Sequence, residues 1–282
     1  MENIIISDKE NLEKLKEKII SDGMEKFHVL ADFDGTLTYD HDANGKIYPS
    51  LISVLRDGDY ISKEYAEKAH ELFVKYRPKE KDESLPLEER KQAMTNWWNE
   101  HFKLLKESGL NKKHLEKIIE LGIIRLRKGS KELMSYLDEK NIPLVIISSS
   151  GIGEAIEMYL KKENLLYENV YIITNSFDWT KQGMMIDVKK PIIHSLNKDE
   201  TVVKNFPEIY KKIKDRKNVL LLGNSPGDLD MITGFNYNNL LKIGFLNEDI
   251  EKNLENYKSG WDAVITNDSD MIYVNEFIKK IK

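Results

Sequence analysis

Four short runs constrain this chain more than any other feature: HVLADF at 28–33, LVIIS at 144–148, VYIIT at 170–174 and VLLLG at 219–223. Each is apolar without alternation, rich in Val, Ile and Leu, and bounded by Gly, Pro, Ser or Asn. A strand with one wet face alternates polar and apolar residues, so unbroken apolar strands belong to a parallel sheet covered on both sides. Helical patterns fill the intervals: SKELMSYLDEK before the second run, GEAIEMYLKKE after it, and PEIYKKIKDRK before VLLLG. Strands alternating with helices predict an α/β doubly wound domain.

Between about Tyr39 and Arg125 the rhythm breaks. This stretch holds no buried-strand pattern and instead carries KEYAEKAHELFVKYR, LEERKQAMTNWWNEHFKLL and KKHLEKIIELGII, joined in part by a proline-bearing connection, RPKEKDESLPLEE. It reads as a helical module inserted after the first strand. The expected organisation is a core of residues 1–42 and 126–282 with a helical cap of 43–125.

Composition narrows the function. A net charge of −5, with lysines interleaved among Glu and Asp, gives no basic surface for a nucleic acid polymer. The absence of cysteine excludes disulfides, thiolate metal sites and cysteine nucleophiles. No stretch has the apolar length of a membrane helix, and the N-terminus lacks the pattern of a signal or transit peptide. The expectation is a cytoplasmic protein, monomeric or weakly oligomeric.

In an open parallel sheet, ligands bind beyond the carboxyl ends of the strands. Here the first end delivers Asp32 and Asp34, two apart and so able to face one site. The second delivers Ser148-Ser149-Ser150-Gly151-Ile152-Gly153, expected to run straight into a helix whose N-terminus holds an anion with its hydroxyls and N–H groups. The last delivers Asn224 and Asp228. Clustered carboxylate and amide oxygens suit Mg²⁺, which commonly bridges to a phosphate.

Two other motifs fail. Gly223-Asn224-Ser225-Pro226-Gly227 fits the G-x-S-x-G nucleophile elbow, but Pro226 has no N–H for an oxyanion hole and no histidine follows Ser225. Gly151-Ile152-Gly153 lacks the third glycine of a dinucleotide fingerprint, because Ile156 stands there.

The motif DFDGTLT resembles the DxDx[TV] signature of haloacid dehalogenase-like phosphohydrolases. With SSSGIGEAIE, IIHSLNKD and LLLGNSPGDLDM followed by LLKIGFLN, in that order, the chain resembles the cytosolic type III (pyrimidine) 5′-nucleotidases of that superfamily. The resemblance runs from about residue 20 to the C-terminus. It implies a HAD-like Rossmannoid core with a helical (C1-type) cap and Mg²⁺-dependent hydrolysis of nucleoside 5′-monophosphates through an aspartyl phosphate. By that resemblance Asp32 is the nucleophile and Asp34 the acid–base, with its carbonyl on the metal. Ser149, Ser150, Gly151 and Lys198 hold the phosphate; Asp32, Asp34, Asn224 and Asp228 surround Mg²⁺.

One departure stands out: the family carries Asp where this chain has Asn224, which predicts weaker metal binding. The resemblance places base contacts on the cap helix around Asn96, Trp98, His101 and Phe102. Asn96 occupies a position where the family has glutamate, so pyrimidine preference does not transfer. The alternatives are a phosphatase for another small phosphomonoester, or a metal-impaired binding protein on the same fold.

Overall fold

The computed structural model describes residues 3–42, 44–82, 84–198, 203, 205–233 and 236–282. Its centre is β2 (Phe27–Ala31), flanked by β3 (Leu144–Ile152) and β7 (Asn218–Gly223), all parallel. β4 (Val170–Asn175) extends one side; β8 (Asn239–Leu246), β9 (Ala263–Thr266) and an antiparallel β1 (Ile4–Ile6) extend the other. The order is β1-β9-β8-β7-β2-β3-β4. Successive residues feed opposite faces, as strand geometry requires: Val29, Ala31, Leu144 and Ile146 join one buried cluster, while Leu30, Val145 and Ile147 join the other. This double burial explains the missing alternation in the sequence.

Helices α1 (Lys9–Asp22), α6 (Ser130–Glu139), α7 (Ala155–Lys162) and α10 (Ile272–Ile278) contribute to the first cluster; α8 (Pro207–Ile213) and α9 (Ile250–Gly260) contribute to the second. The helical module contains α2 (Leu51–Asp57), α3 (Lys63–Lys81), α4 (Leu87–Glu107) and α5 (Lys112–Glu120). Its two chain ends run side by side. Tyr39 N donates to Arg125 O (2.9 Å), and Arg127 N donates to Leu37 O (2.9 Å). A hairpin of β5 (Phe177–Trp179) and β6 (Met185–Val188) wedges beneath α4, with Phe177 edge-on to Phe102 at 5.5 Å.

Two local expectations are corrected. The RPKEKDE segment is not a connection at its start, since α3 continues through Pro78 to Lys81. The carbonyl that Pro78 cannot bond belongs to Val74, whose residue is exposed, so water can satisfy it. Nor does the serine run enter a helix directly. β3 persists to Ile152 and α7 begins only at Ala155, with a bulge between Ile147 and Ile152 against β4.

Candidate active site

Beyond β2 the chain turns sharply. Asp34 is extended (φ −74°, ψ 125°), and Gly35 is left-handed (φ 71°). A β-carbon at residue 35 would lie 2.3 Å from Asn224 Nδ2, so only glycine lets the first and last strand ends meet. Arg127 braces this turn from beneath. Fully buried, it donates through Nε to Thr36 O (2.9 Å), through Nη2 to Gly35 O (2.7 Å) and through Nη1 to Ser269 O, and it pairs with Asp268 at 2.9 Å.

Lys198 enters from the segment after β6. It donates to Asp32 Oδ1 and, at 2.9 Å, to Asp228 Oδ1; all three side chains are buried. Burial pulls the Lys198 pKa down, but the charges of Asp228 and Asp32 outweigh this and raise it, so the ammonium is retained. For Asp32, burial dominates, opposed by Lys198 and aided by Asp228 and Asp34, and its pKa is pushed up to about 7. Asp34 is also raised, chiefly by burial, against the hydrogen bond from Ser150.

Asp228 has little left to offer a cation. Its Oδ2 accepts from Asn224 N (3.0 Å), Ser225 N (2.9 Å) and Ser225 Oγ (3.0 Å), while Oδ1 faces Lys198. It therefore shapes the Gly223–Gly227 turn and holds the lysine. Asp32 Oδ2, by contrast, accepts only a 3.3 Å bond from Thr36 Oγ1 among the described residues. Of the metal ligands that the resemblance implies, Asp32 Oδ2, the Asn224 amide oxygen and the Asp34 carbonyl would remain to hold a cation, all of them oxygens. That chemistry suits a hard divalent cation.

The bulge in β3 carries Ser149 and Ser150 to the floor of a cavity of about 530 Å³ between sheet and helical module. Ser150 does not present a free hydroxyl there, because its Oγ donates to Asp34 Oδ2. Gly151 lies in the same strand, within the bulge. Buried Asn175, at the end of β4, ties the bulge to the lysine segment. Its Nδ2 donates to Ser149 O (3.3 Å) and Ile193 O (2.9 Å), and its Oδ1 accepts from Ile193 N (2.8 Å).

Opposite the serines the cavity is aromatic, lined by Phe73, Trp97, Trp98 and His101 with Arg56 and Asp57 beside them. Trp97 and Trp98 stack at 6.3 Å, and Trp98 stacks on His101 at 6.0 Å. The His101 imidazole is driven down to about 3 by burial, with Arg56 adding to the effect, so it is neutral; its Nε2 pairs with Tyr65 Oη at 2.9 Å. The expectations for Asn96 and Phe102 are corrected. Asn96 is exposed and accepts from Gln92 Nε2, and Phe102 is buried between Trp98 and Phe177. On α4, positions 97, 98 and 101 share the cavity face, whereas 96 turns to solvent and 102 to the core. Arg127 and Asn175 are residues that shape the site and that motif spacing did not single out.

A parallel sheet with a buried Asp–Lys–Asp group at its carboxyl edge, roofed by an inserted helical module, is the architecture of a haloacid dehalogenase-like phosphatase. The family model for pyrimidine 5′-nucleotidase (UMPH-1) matches residues 35–282, and the chain belongs to that 5′-nucleotidase family. It is 32% identical over 260 residues to the 7-methylguanosine phosphate-specific 5′-nucleotidase of Gallus gallus, covering 92% of this chain and 89% of that protein. The putative cytosolic 5′-nucleotidase 3 of Caenorhabditis elegans is 28% identical, over 95% of this chain and 72% of that protein. The crystal structure of cytosolic 5′-nucleotidase IIIB bound to cytidine superposes with a TM-score of 0.85 at 26% identity, covering 100% of this chain and 93% of that one.

Proposed function

We propose that the chain is a Mg²⁺-dependent nucleotidase that cleaves nucleoside 5′-monophosphates through a phosphorylated Asp32. The carrying observation is one cavity with two ends: Ser149 and Ser150, beside the Asp34 carboxyl, at one, and stacked Trp97 and Trp98 at the other. A phosphate fits the first and a base the second, since an aromatic platform contributes about 1–3 kcal/mol per base. The family name, the cytidine-bound neighbour and the relatives that act on 7-methylguanosine phosphate all support a nucleoside leaving group.

In this reading Asp32 attacks phosphorus, and Lys198 and Ser149 hold the phosphoryl oxygens as charge builds on them. Asp34 protonates the departing O5′ and then takes a proton from the water that attacks the acyl phosphate. Asp32, Asn224 and the Asp34 carbonyl would hold Mg²⁺, which supplies Lewis-acid neutralisation of the phosphate when bound. The substrate partner is a small molecule, with neither nucleic acid polymer nor membrane involved. The cytosolic designation of the Caenorhabditis elegans relative supports a cytoplasmic setting.

The test is phosphate release from CMP, UMP, GMP and 7-methylguanosine 5′-monophosphate, set against sugar phosphates and phosphoserine, with Mg²⁺ titrated to tens of millimolar. Nucleotide turnover that disappears in Asp32→Asn is expected. Turnover confined to the non-nucleotide esters would replace this reading with a phosphatase for another small phosphomonoester. No turnover of any ester would replace it with a non-catalytic binding protein.

A further inference from the structure

Ser150 occupies a position where an anion-binding hydroxyl is expected, yet it faces a carboxyl group instead. Its Oγ donates to Asp34 Oδ2, and among the described residues no other side chain hydrogen-bonds to that carboxyl. Ser148 Oγ lies 3.3 Å from Ser150 Oγ, on the same face of the strand two residues earlier.

Both partners are anchored through their backbones. Ser149 O is held by Asn175 Nδ2 (3.3 Å), and Gly153 N donates to Asn175 O (2.7 Å), which fixes the bulge from both sides. The turn carrying Asp34 is pinned by Arg127 at Gly35 O and Thr36 O, and by Gly35 N donating to Thr38 Oγ1 at 3.0 Å. The backbones set where the two side chains meet. The hydrogen bond sets how the Asp34 carboxyl is turned about its own torsions.

We propose that Ser150 is a positioning residue for Asp34 rather than a phosphate ligand. The inference rests on the reading of Asp34 as the acid–base. A hydroxyl that donates to Oδ2 can do so whether or not the acid is protonated, because Oδ2 accepts in both states. The proton is thereby assigned to Oδ1, the oxygen left free to meet the substrate. As the P–O5′ bond breaks, its electron pair stays on O5′, which takes the proton from Oδ1, while the phosphoryl group passes to Asp32. Without Ser150 the carboxyl rotates and its proton is delivered from a range of directions.

The test compares kcat/KM for the nucleotide most rapidly hydrolysed in the screen with kcat/KM for p-nitrophenyl phosphate. The nucleoside alkoxide must be protonated as it leaves, whereas p-nitrophenolate leaves without a proton. The quantity kcat/KM ends at that first irreversible departure, so later activation of water does not enter. Acid–base catalysis contributes about 10²–10⁴-fold, so losing its orientation in Ser150→Ala lowers the nucleotide-to-aryl ratio by roughly tenfold or more. Ser150→Thr keeps the hydroxyl and restores the ratio. Ser150→Cys, a weak donor of similar size, serves if the alanine variant does not fold.

A phosphate-binding Ser150 would weaken both substrates alike, and an unchanged ratio in Ser150→Ala overturns the proposal. Asp34→Asn separates the two levels of the argument. If it lowers the ratio and Ser150→Ala does not, the positioning role fails alone; if Asp34→Asn leaves the ratio unchanged, the acid–base assignment fails with it.

Discussion

Arg127 offers the sharpest test of how the catalytic turn is held. Replacing it with Met removes a buried cation that pairs with Asp268 at 2.9 Å and serves three backbone carbonyls. At that separation the gross attraction is about 6 kcal/mol with an effective dielectric of about 20, and desolvation of both groups offsets most of it. Breaking such a pair, however, leaves Asp268 without its cation and, among the described residues, Gly35 O with only Asn247 Nδ2 at 2.8 Å. The expected loss is about 3–5 kcal/mol.

For a chain of 282 residues, unfolding entropy of about 2.1 cal/mol/K per residue gives about 0.6 kcal/mol/K, and hence a Tm lower by roughly 5–8 °C. Asp268→Asn in the same background removes the stranded charge while leaving an acceptor for Asp40 N and His41 N. It should recover about 1.5–3 kcal/mol as a coupling in the double-mutant cycle. Nucleotide turnover should fall at least about tenfold, because a catalytic group displaced by about 1 Å loses up to about 10²-fold. Thermal and guanidinium unfolding of the four proteins reads the energies. A loss under about 1 kcal/mol in Arg127→Met, or no coupling to Asp268, refutes the bracing argument.

The raised pKa of Asp32 makes metal-free protein pH-sensitive. The folded value is about 7 against 3.8 for the free group, so this contribution to stability is full below the lower value and lost as pH rises through the higher. Melts in chelator at pH 5 and pH 8 should therefore differ more for wild type than for Asp32→Asn, and equal differences would exclude Asp32 as the cause. Trp98→Ala should raise KM for nucleotides by about 10–100-fold, the equivalent of one base stack, while sparing small sugar phosphates. An equal rise for both substrate classes would remove Trp98 from base recognition. Asn224→Asp should tighten Mg²⁺ binding, read by calorimetry, by at least about tenfold, since two unit charges about 4 Å apart interact by about 4 kcal/mol before desolvation. Unchanged affinity would mean that Asn224 does not face the metal.

The strands that place the site were legible in the sequence because their burial on both faces leaves an unbroken apolar signature. Those that escaped notice are short or interrupted: β1 is only Ile4–Ile6, β9 only Ala263–Thr266, and Lys242 breaks the apolar run of β8. The candidate residues Asp32, Ser149, Lys198 and Asn224 were picked out by motif, and motifs report residue type rather than orientation. That limit explains Ser150, which was placed at the phosphate and which the bulge in β3 turns toward Asp34. For Asp228 the sequence left a metal-bound water or Lys198 as partner, and the structure pairs it with Lys198. Asn96 and Phe102 misled for a similar reason, because a heptapeptide covers nearly two helical turns and only part of it can face one cavity. Arg127 and Asn175 carry no motif at all. Their signal is a polar residue adjoining an apolar run, too common to single out without the contacts.

The charge balance at the strand ends bears on Asn224, which stands where the resembled family carries Asp. Asp32, Asp34 and Asp228 bring three carboxyl groups to a region where Lys198 pairs with Asp32 and Asp228, and burial already raises Asp32 and Asp34. A further carboxylate at 224 would sit against Gly35, next to these groups, and without a metal its repulsion would be uncompensated. On the proposed reading Asn224 would keep an oxygen for the metal while leaving that repulsion out. On that reading, an asparagine that weakens the hold on a cation would stabilise the metal-free fold. Asn224→Asp should accordingly lower Tm in chelator while tightening Mg²⁺, and a variant that gained affinity with no loss of metal-free stability would show that the site was never limited by its own charge.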